Sequence, residues 1–140
     1  MTIPESYIAD LTMRLSLYRR LSSLNDEADI DAVGAEIVDR FGPPPPEVDL
    51  LLKLVRIKAL CRRSHVEKLD AGPKGMTLAF RDNSFANPTG LVRWVQANED
   101  ARVRPDMRIL VSGEFEKLGD RLDGAVKTMR EIAKIAGKKG

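Results

Sequence analysis

The sequence predicts an α+β fold, a small and mainly antiparallel sheet packed with about five helices. Apolar residues first recur at helical spacing, up to about residue 64, and then alternate with polar residues on both sides of a Gly-Pro-Lys-Gly segment at 72–75. Helical and alternating stretches follow one another from there to the C-terminus. The 140 residues have the length of one domain, so we expect a single domain over 1–136 and a frayed tail over 137–140.

The first helix is predicted over residues 11–21, after an extended start at Ile3 and Pro4. One apolar stripe contains Leu11, Leu15 and Tyr18, and a neighbouring stripe contains Met13, Leu17, Leu21 and Leu24. An apolar face of this width predicts burial against more than one neighbour. The three arginines of this helix, Arg14, Arg19 and Arg20, are expected on its outside.

The second helix begins at Asn25 or Asp26, where acidic residues in the first turn complement the helix dipole. Its predicted buried residues, Ile30, Val33, Ile37, Val38 and Phe41, fall within about 140° of the circumference. The opposite face leaves two carboxylates free, Glu36 and Asp39, beside alanines that allow another protein to approach closely. We therefore expect a protein-contact surface made of Asp29, Ala32, Ala35, Glu36, Asp39 and Arg40.

A rigid corner is predicted between the second and third helices. Gly42 follows the helix end, where glycine accepts a left-handed conformation, and four prolines follow at 43–46. Pro46 can be the first residue of the third helix, because the missing N–H of proline is harmless there. The third helix then runs to about Ser64 and is apolar nearly all round in its first half, which predicts a central position in the core.

The remaining elements are predicted from the change of period. Residues 66–71 and 76–81 form a β-hairpin, and Asn87 caps a fourth helix that ends near Asn98 and places Trp94 in the core. Residues 102–112 form one or two strands, in which Met107, Ile109 and Val111 share a face. The last helix, over about 117–136, has Leu118, Leu122, Val126, Met129 and Ile132 on one side.

Charge is unevenly distributed, although the net charge is only +2. Residues 25–49 contain eight acidic residues and one arginine, a net charge of −7, whereas the rest of the chain has 22 basic and 13 acidic residues, a net charge of +9. The acidic segment suits a basic protein surface or is simply solvated. The single cysteine, Cys61, excludes a disulfide framework, and no leader or long apolar run is present, so a cytoplasmic location without membrane contact is expected.

The sequence contains no recognisable group of catalytic residues. His65 is the only histidine, and Glu36 and Asp39 lie on a predicted exposed face where nothing would separate their pKa values. We therefore expect no enzyme activity, no metal and no cofactor. One alternative is an accessory nucleic-acid-binding domain that uses Arg56, Lys58, Arg62, Arg63 and the last helix. A small enzyme is a third possibility, but it would need a cluster of ionisable groups that the sequence does not offer.

Four motifs in fixed order resemble the C-terminal (TRCF) domain of bacterial transcription-repair coupling factor, Mfd. They are IPExYI at 3–8, RLSLYRR at 14–20, EIVDRFG at 36–42 and DAGPKG at 70–75. The resemblance covers roughly residues 3–136. It implies a parent that is a large ATP- and Mg-dependent translocase on double-stranded DNA, which displaces stalled RNA polymerase and recruits UvrA for nucleotide excision repair.

The resemblance also implies a role for this domain. In that family it is a non-catalytic regulatory element that packs against the UvrB-like module of the same polypeptide and masks its UvrA-binding surface. UvrA, RNA polymerase and DNA would then be partners only indirectly, through the parent in the bacterial cytoplasm. We expect Glu36 and Asp39 of the second helix to dock against arginines of the UvrB-like module.

Overall fold

The computed structural model describes residues 2–138, and these residues form five α-helices and four β-strands. The first three helices are α1 (Leu11–Ser22), α2 (Glu27–Phe41) and α3 (Pro46–Arg63). They are followed by β1 (Val66–Gly72), β2 (Gly75–Phe80), α4 (Pro88–Ala97), β3 (Ala101–Val103), β4 (Ile109–Ser112) and α5 (Leu118–Gly137). A short 3-10 turn, Arg81–Asn83, links β2 to α4. The predicted α+β class, with five helices and an antiparallel sheet, is confirmed.

The chain divides into two compact units, and the boundary lies between Ala59 and Leu60, inside α3. The first contains the N-terminal segment, α1, α2 and most of α3, and the second contains the whole sheet with α4 and α5. None of the helices in residues 2–138 has both the length and the apolar character that a membrane crossing requires.

The core of the first unit joins the N-terminal segment to all three of its helices. Its buried residues are Ile3, Ile8, Leu17, Leu21, Val33, Ile37, Val48 and Leu51. The prediction that Arg14 lies outside is wrong, because its guanidinium is buried and donates hydrogen bonds of 2.8 and 3.0 Å to the carbonyls of Ile8 and Ala9. Those carbonyls replace the water that an exposed arginine would bind.

The buried face of α1 is also displaced from its predicted position. Leu11 and Leu15, expected in the core, are exposed by 58% and 42%. At 100° per residue, Arg14, Leu17 and Leu21 centre the buried face about 90° or more away from both leucines. The apolar stripe in the sequence is therefore wider than the surface that the neighbouring residues cover.

Gly42 and Tyr7 fix the corner between α2 and α3. Gly42 has φ 88° and ψ −172°, and its N–H donates to the Val38 carbonyl at 2.8 Å. The Tyr7 hydroxyl donates to the Gly42 carbonyl at 2.6 Å. Pro46 is the first residue of α3, as the sequence predicts. The backbone at Gly42 lies in a region that only glycine readily occupies.

The second unit is built on a four-stranded antiparallel sheet with the order β1-β2-β4-β3. The predicted hairpin is confirmed: β1 and β2 pair from Val66 with Phe80 to Gly72 with Gly75. Residues 101–112 form two strands. One face of the sheet is buried through Met76, Leu78, Ile109 and Val111.

Two helices complete the second unit. The Asn87 side chain caps α4 by accepting from the Gly90 N–H at 3.0 Å and donates to the Ile135 carbonyl of α5 at 3.3 Å. The buried side of α5 contains Leu122, Ala125, Val126, Met129, Ile132 and Ala133. Three predictions are wrong here: Trp94 is only half-buried, while Leu118 and Met107 are exposed. Met107 lies in the turn between β3 and β4, where the alternation of a strand no longer applies.

Candidate protein-interaction site

The six predicted contact residues all lie on one side of α2, a surface that we name the α2 outer face. It consists of Asp29, Ala32, Ala35, Glu36, Asp39 and Arg40, of which only Glu36 is half-buried and the others are exposed. At 100° per residue these six positions span about 140° of the helix. The opposite side buries Ile30, Val33, Gly34 and Ile37. One side of α2 therefore packs in the core, and the other side faces solvent.

Local sequence explains why these residues are helical. Glu27 and Asp29 lie in the first turn and Arg40 lies in the last turn, so the charges at both ends interact favourably with the helix dipole. Asp26 precedes the helix in an extended conformation, without a capping hydrogen bond from its side chain. The core contacts of Val33 and Ile37 then hold the helix against the rest of the unit.

Glu36 is not free, contrary to expectation, because it pairs with Arg20 of α1. The distance between Arg20 Nη2 and Glu36 Oε2 is 2.7 Å. The hydrogen bond from Arg20, with further attraction from Arg20 and Arg40, lowers the pKa of the Glu36 carboxyl below its ordinary value. Glu36 thus contributes its charge to the surface from a fixed position on the α1 side of the helix.

The other flank of α2 is fixed to α3 by Arg56. Its two terminal nitrogens contact Glu27 Oε1 at 3.0 Å and Asp31 Oδ1 at 2.5 Å. The Arg56 side chain is only 15% exposed, so this pair of contacts is partly shielded from water. Arg20 and Arg56 therefore take up three of the acidic residues that give the segment its negative charge.

Asp39 lies at the C-terminal end of the α2 outer face, near the middle of its width around the helix. It is exposed and makes no ion pair with any residue in the range 2–138. Ala32 and Ala35 precede it on the same side of the helix, and Arg40 holds its guanidinium 5.1 Å from the centroid of the Phe41 ring. A basic partner could approach the helix backbone closely here and pair with a carboxylate that has no internal competitor.

Two residues of this surface are not identified by the sequence analysis. Ala28 completes the central row with Ala32, Ala35 and Asp39, and the spacing of four, three and four residues is the signal that could have found it. Arg20 enters through tertiary contact with α2, and nothing in the local sequence indicates it. Within residues 2–138 no group of three or more His, Cys, Asp or Glu residues could hold a metal ion.

Comparison with known proteins shows one family. The family model described as "TRCF domain" matches residues 1–91. A transcription-repair-coupling factor of Rickettsia conorii is 34% identical over 119 residues, which is 85% of this chain and 10% of that protein. The protein of the same name in Escherichia coli K12 is 26% identical over 135 residues, 96% of this chain and 12% of that protein. The chain thus spans about a tenth of the length of these relatives.

The fold has a solved counterpart as well. A crystal structure of the C-terminal domain of transcription-repair coupling factor superposes with a TM-score of 0.78 at 17% identity, covering 99% of this chain and 90% of that one. At that identity the similarity concerns the fold, and the sequence matches establish the relationship. The chain belongs to the TRCF domain family of the transcription-repair coupling factors.

Proposed function

We propose that this chain is a non-catalytic, autoinhibitory domain of a DNA translocase in transcription-coupled nucleotide excision repair. It masks the UvrA-binding surface of the UvrB-like module, and the α2 outer face is the masking contact. ATP and Mg²⁺ belong to the motor of the parent, which also contacts RNA polymerase and DNA. Family membership and the geometry of α2 support this proposal.

The observation that carries the proposal is Asp39, a carboxylate without an ion pair among the described residues, at the C-terminal end of an exposed row of alanines. A solvated helix face is usually covered with long side chains, whereas alanines leave the helix accessible to a partner of matching shape. An arginine of the partner can approach Asp39 with both terminal nitrogens. Glu36 places a second carboxylate on this face, in a position that its ion pair with Arg20 of α1 fixes.

The chemistry of this contact suits a reversible mask. Removing one partner from a close, partly desolvated ion pair at an interface costs about 2–5 kcal/mol. One or two such pairs hold two modules of the same polypeptide together, since linkage raises their effective concentration. They do not make the closed state irreversible, so binding of another protein can shift the population to the open state.

The nucleic-acid-binding alternative loses part of its surface. Arg56, one of its leading residues, is committed to Glu27 and Asp31 and is largely covered. Four of the basic residues of the last helix region, Lys127, Arg130, Lys134 and Lys138, share that surface with Asp123 and Glu131. Acidic residues placed among the basic ones in this way interrupt the continuous positive stripe that binds phosphates.

Charge reversal in the full-length parent tests the proposal. The double variant Glu36→Lys/Asp39→Lys should raise UvrA binding about tenfold or more and raise basal ATPase activity, because the mask opens. The control is Glu67→Lys, which makes one such charge reversal at an exposed position of β1. If the double variant keeps wild-type UvrA binding and ATPase activity, the masking role of α2 is wrong.

Arg20 provides a second control that separates charge at the surface from damage to the fold. The swap Arg20→Glu/Glu36→Arg restores an ion pair between α1 and α2 while it reverses the charge at position 36. It should release UvrA binding although its thermal unfolding midpoint stays near that of the wild type. Release by the single variant Glu36→Lys without release by the swap would show that loss of helix packing, and not loss of the contact, caused the effect.

A further inference from the structure

The outer edge of β3, together with an apolar cavity beside it, forms a second candidate contact surface. The cavity has a volume of about 320 Å³. Its walls include Phe80, Phe85 and Ile109, which are buried, and Leu91 and Val95, which are half-buried. All of these residues belong to the second unit. The volume lies at the lower end of the range for binding clefts, about 300–1,000 Å³.

Three large apolar side chains at the rim of this cavity are open to solvent. Val92 and Val103 are each 54% exposed and Met107 is 58% exposed. Apolar side chains that are exposed singly need no explanation, but three at one cavity mark an interaction surface. Leu118 is the other large apolar residue exposed in the described part of the second unit, and it does not line the cavity.

Met107 occupies a position that favours glycine. The turn at 104–107 has Pro105 at its second position and is closed by the Met107 N–H on the Arg104 carbonyl at 3.0 Å. Met107 follows in the left-handed region, with φ 70°, and the Arg104 N–H donates to the Arg108 carbonyl at 2.8 Å. Hairpin loops of this type usually have glycine there. This loop instead holds a flexible apolar side chain at the rim, in a strained conformation.

The backbone of β3 offers hydrogen-bonding groups on its free edge. The Asp100 carbonyl and the Arg104 N–H bond to β4, so the groups of Ala101 and Val103 between them point to the other side. The Ala101 N–H is used by the Asn98 carbonyl. The N–H and carbonyl of Val103 have no hydrogen-bond partner among the described residues. β3 is a terminal strand of the sheet, so this edge is available to another strand.

Alternation along β3 specifies the chemistry of an added strand. Val103 is on the cavity side of the sheet, whereas Arg102 and Arg104 are on the opposite side, where register also places Arg108, the residue before β4. Arg102 makes no ion pair with another described residue. Arg104 and Arg108 share Asp106 at 3.5 and 3.9 Å, and Arg108 is also 3.9 Å from Asp70 of β1. A strand beside β3 would therefore place apolar side chains at the cavity and acidic side chains opposite the arginines.

We propose that the β3 edge binds an extended segment of a partner protein in which apolar and acidic residues alternate. The segment adds a fifth strand to the sheet, its main chain bonds to Val103, and its apolar side chains enter the cavity beside Val92 and Met107. A second copy of this chain is a poorer occupant of the edge, because β3 against β3 would bring like-charged arginines together. This inference does not depend on the masking role of α2.

Selection from a library of short random peptides on the immobilised chain tests the proposal. The expected result is enrichment of peptides that alternate apolar with Asp or Glu residues. The affinity of an enriched peptide is then measured by fluorescence anisotropy. Val103→Pro removes the outward N–H without touching the bonds to β4 and should weaken binding about tenfold or more. Arg102→Glu should weaken it about fivefold and reduce its dependence on salt.

Met107→Gly separates binding from folding. It should weaken the peptide about threefold or more while the thermal midpoint stays level or rises, since glycine relieves the strained turn. Leu118→Ser and Lys127→Glu are the controls and should bind as the wild type does. The proposal is overturned if no peptide is enriched over the Val103→Pro protein, or if the enriched peptides are basic. It is equally overturned if the chain dimerises through this edge in sedimentation experiments.

Discussion

Gly42 fixes the direction in which the chain leaves α2. Its φ of 88° and ψ of −172° lie in a region that residues with a Cβ scarcely occupy. A Cβ built at Gly42 meets no atom within 4 Å, so the requirement for glycine comes from the backbone and not from crowding. The Tyr7 hydroxyl, which donates to the Gly42 carbonyl, holds this conformation from the N-terminal segment.

Gly42→Ala should therefore lower the free energy of unfolding by about 1–3 kcal/mol, measured by urea denaturation. Gly119→Ala is the matched control, because a Cβ there also meets nothing within 4 Å but the residue is inside α5. Alanine favours a helix over glycine by about 1 kcal/mol, so the control should be neutral or stabilising. Destabilisation of similar size in both variants would contradict the backbone explanation.

The Glu36–Arg20 pair makes stability depend on pH. The pKa of Glu36 in the folded state is lowered by the hydrogen bond from Arg20, relative to an ordinary value of 4.5. The folded state thus binds this proton less readily than the unfolded state. The stabilisation is present above pH 4.5 and is lost as the pH falls through the lowered pKa.

Urea denaturation across pH tests this dependence. Glu36→Gln should unfold at lower urea than the wild type at pH 7, and the difference should shrink below pH 4.5. Glu67→Gln, at an exposed carboxylate that has no ion pair among the described residues, serves as control. A difference that persists unchanged in acid would show that the ion pair is not its source.

The boundary between the buried and exposed faces of α2 lies between Ile37 and Val38, which are neighbours in sequence but differ in burial. Ile37 is 2% exposed and Val38 is 42% exposed, although the sequence predicts burial of both. At 100° per residue Val38 lies about 85° from the centre of the buried face, at the edge of the apolar arc. Burial at such an edge depends on how far the neighbouring helices extend, and periodicity does not contain that information.

Replacing each of these two residues with alanine measures how much its burial contributes to the free energy of unfolding. Ile37→Ala should cost about 2–5 kcal/mol, because it removes buried atoms and leaves a cavity. Val38→Ala should cost less than about 1 kcal/mol, since its side chain is already in contact with water. Both follow from urea denaturation at neutral pH. Equal losses would mean that α2 buries a wider face than described.

Local sequence patterns predicted the helices, strands and turns better than they predicted the tertiary contacts between them. The corner at Gly42 and Pro46, the hairpin at 72–75 and the cap at Asn87 follow from residue chemistry that acts within a few positions. Burial of Arg14 and exposure of Leu15 depend instead on the N-terminal carbonyls that Arg14 binds. The residues of the α2 outer face were predictable from helical spacing, whereas the pairing of Glu36 with Arg20 required the fold.

Ion pairs within the chain compensate part of its charge asymmetry. Residues 25–49 carry a net charge of −7, and Arg20 and Arg56 neutralise three of these acids from α1 and α3. Of the five other acids in this segment, Asp29 and Asp39 lie on the α2 outer face, where a partner can reach them. The two proposed surfaces, the α2 outer face and the β3 edge, belong to different units and favour partners of opposite charge.

Titration calorimetry with the isolated UvrB-like module tests the central claim most directly. The separately produced module should bind this chain, and Asp39→Lys should weaken binding about tenfold or more, which corresponds to about 1.4 kcal/mol. Glu67→Lys should bind as the wild type does, which excludes an effect of net charge alone. An Asp39→Lys chain that binds the module with unchanged affinity would show that the α2 outer face is not the contact.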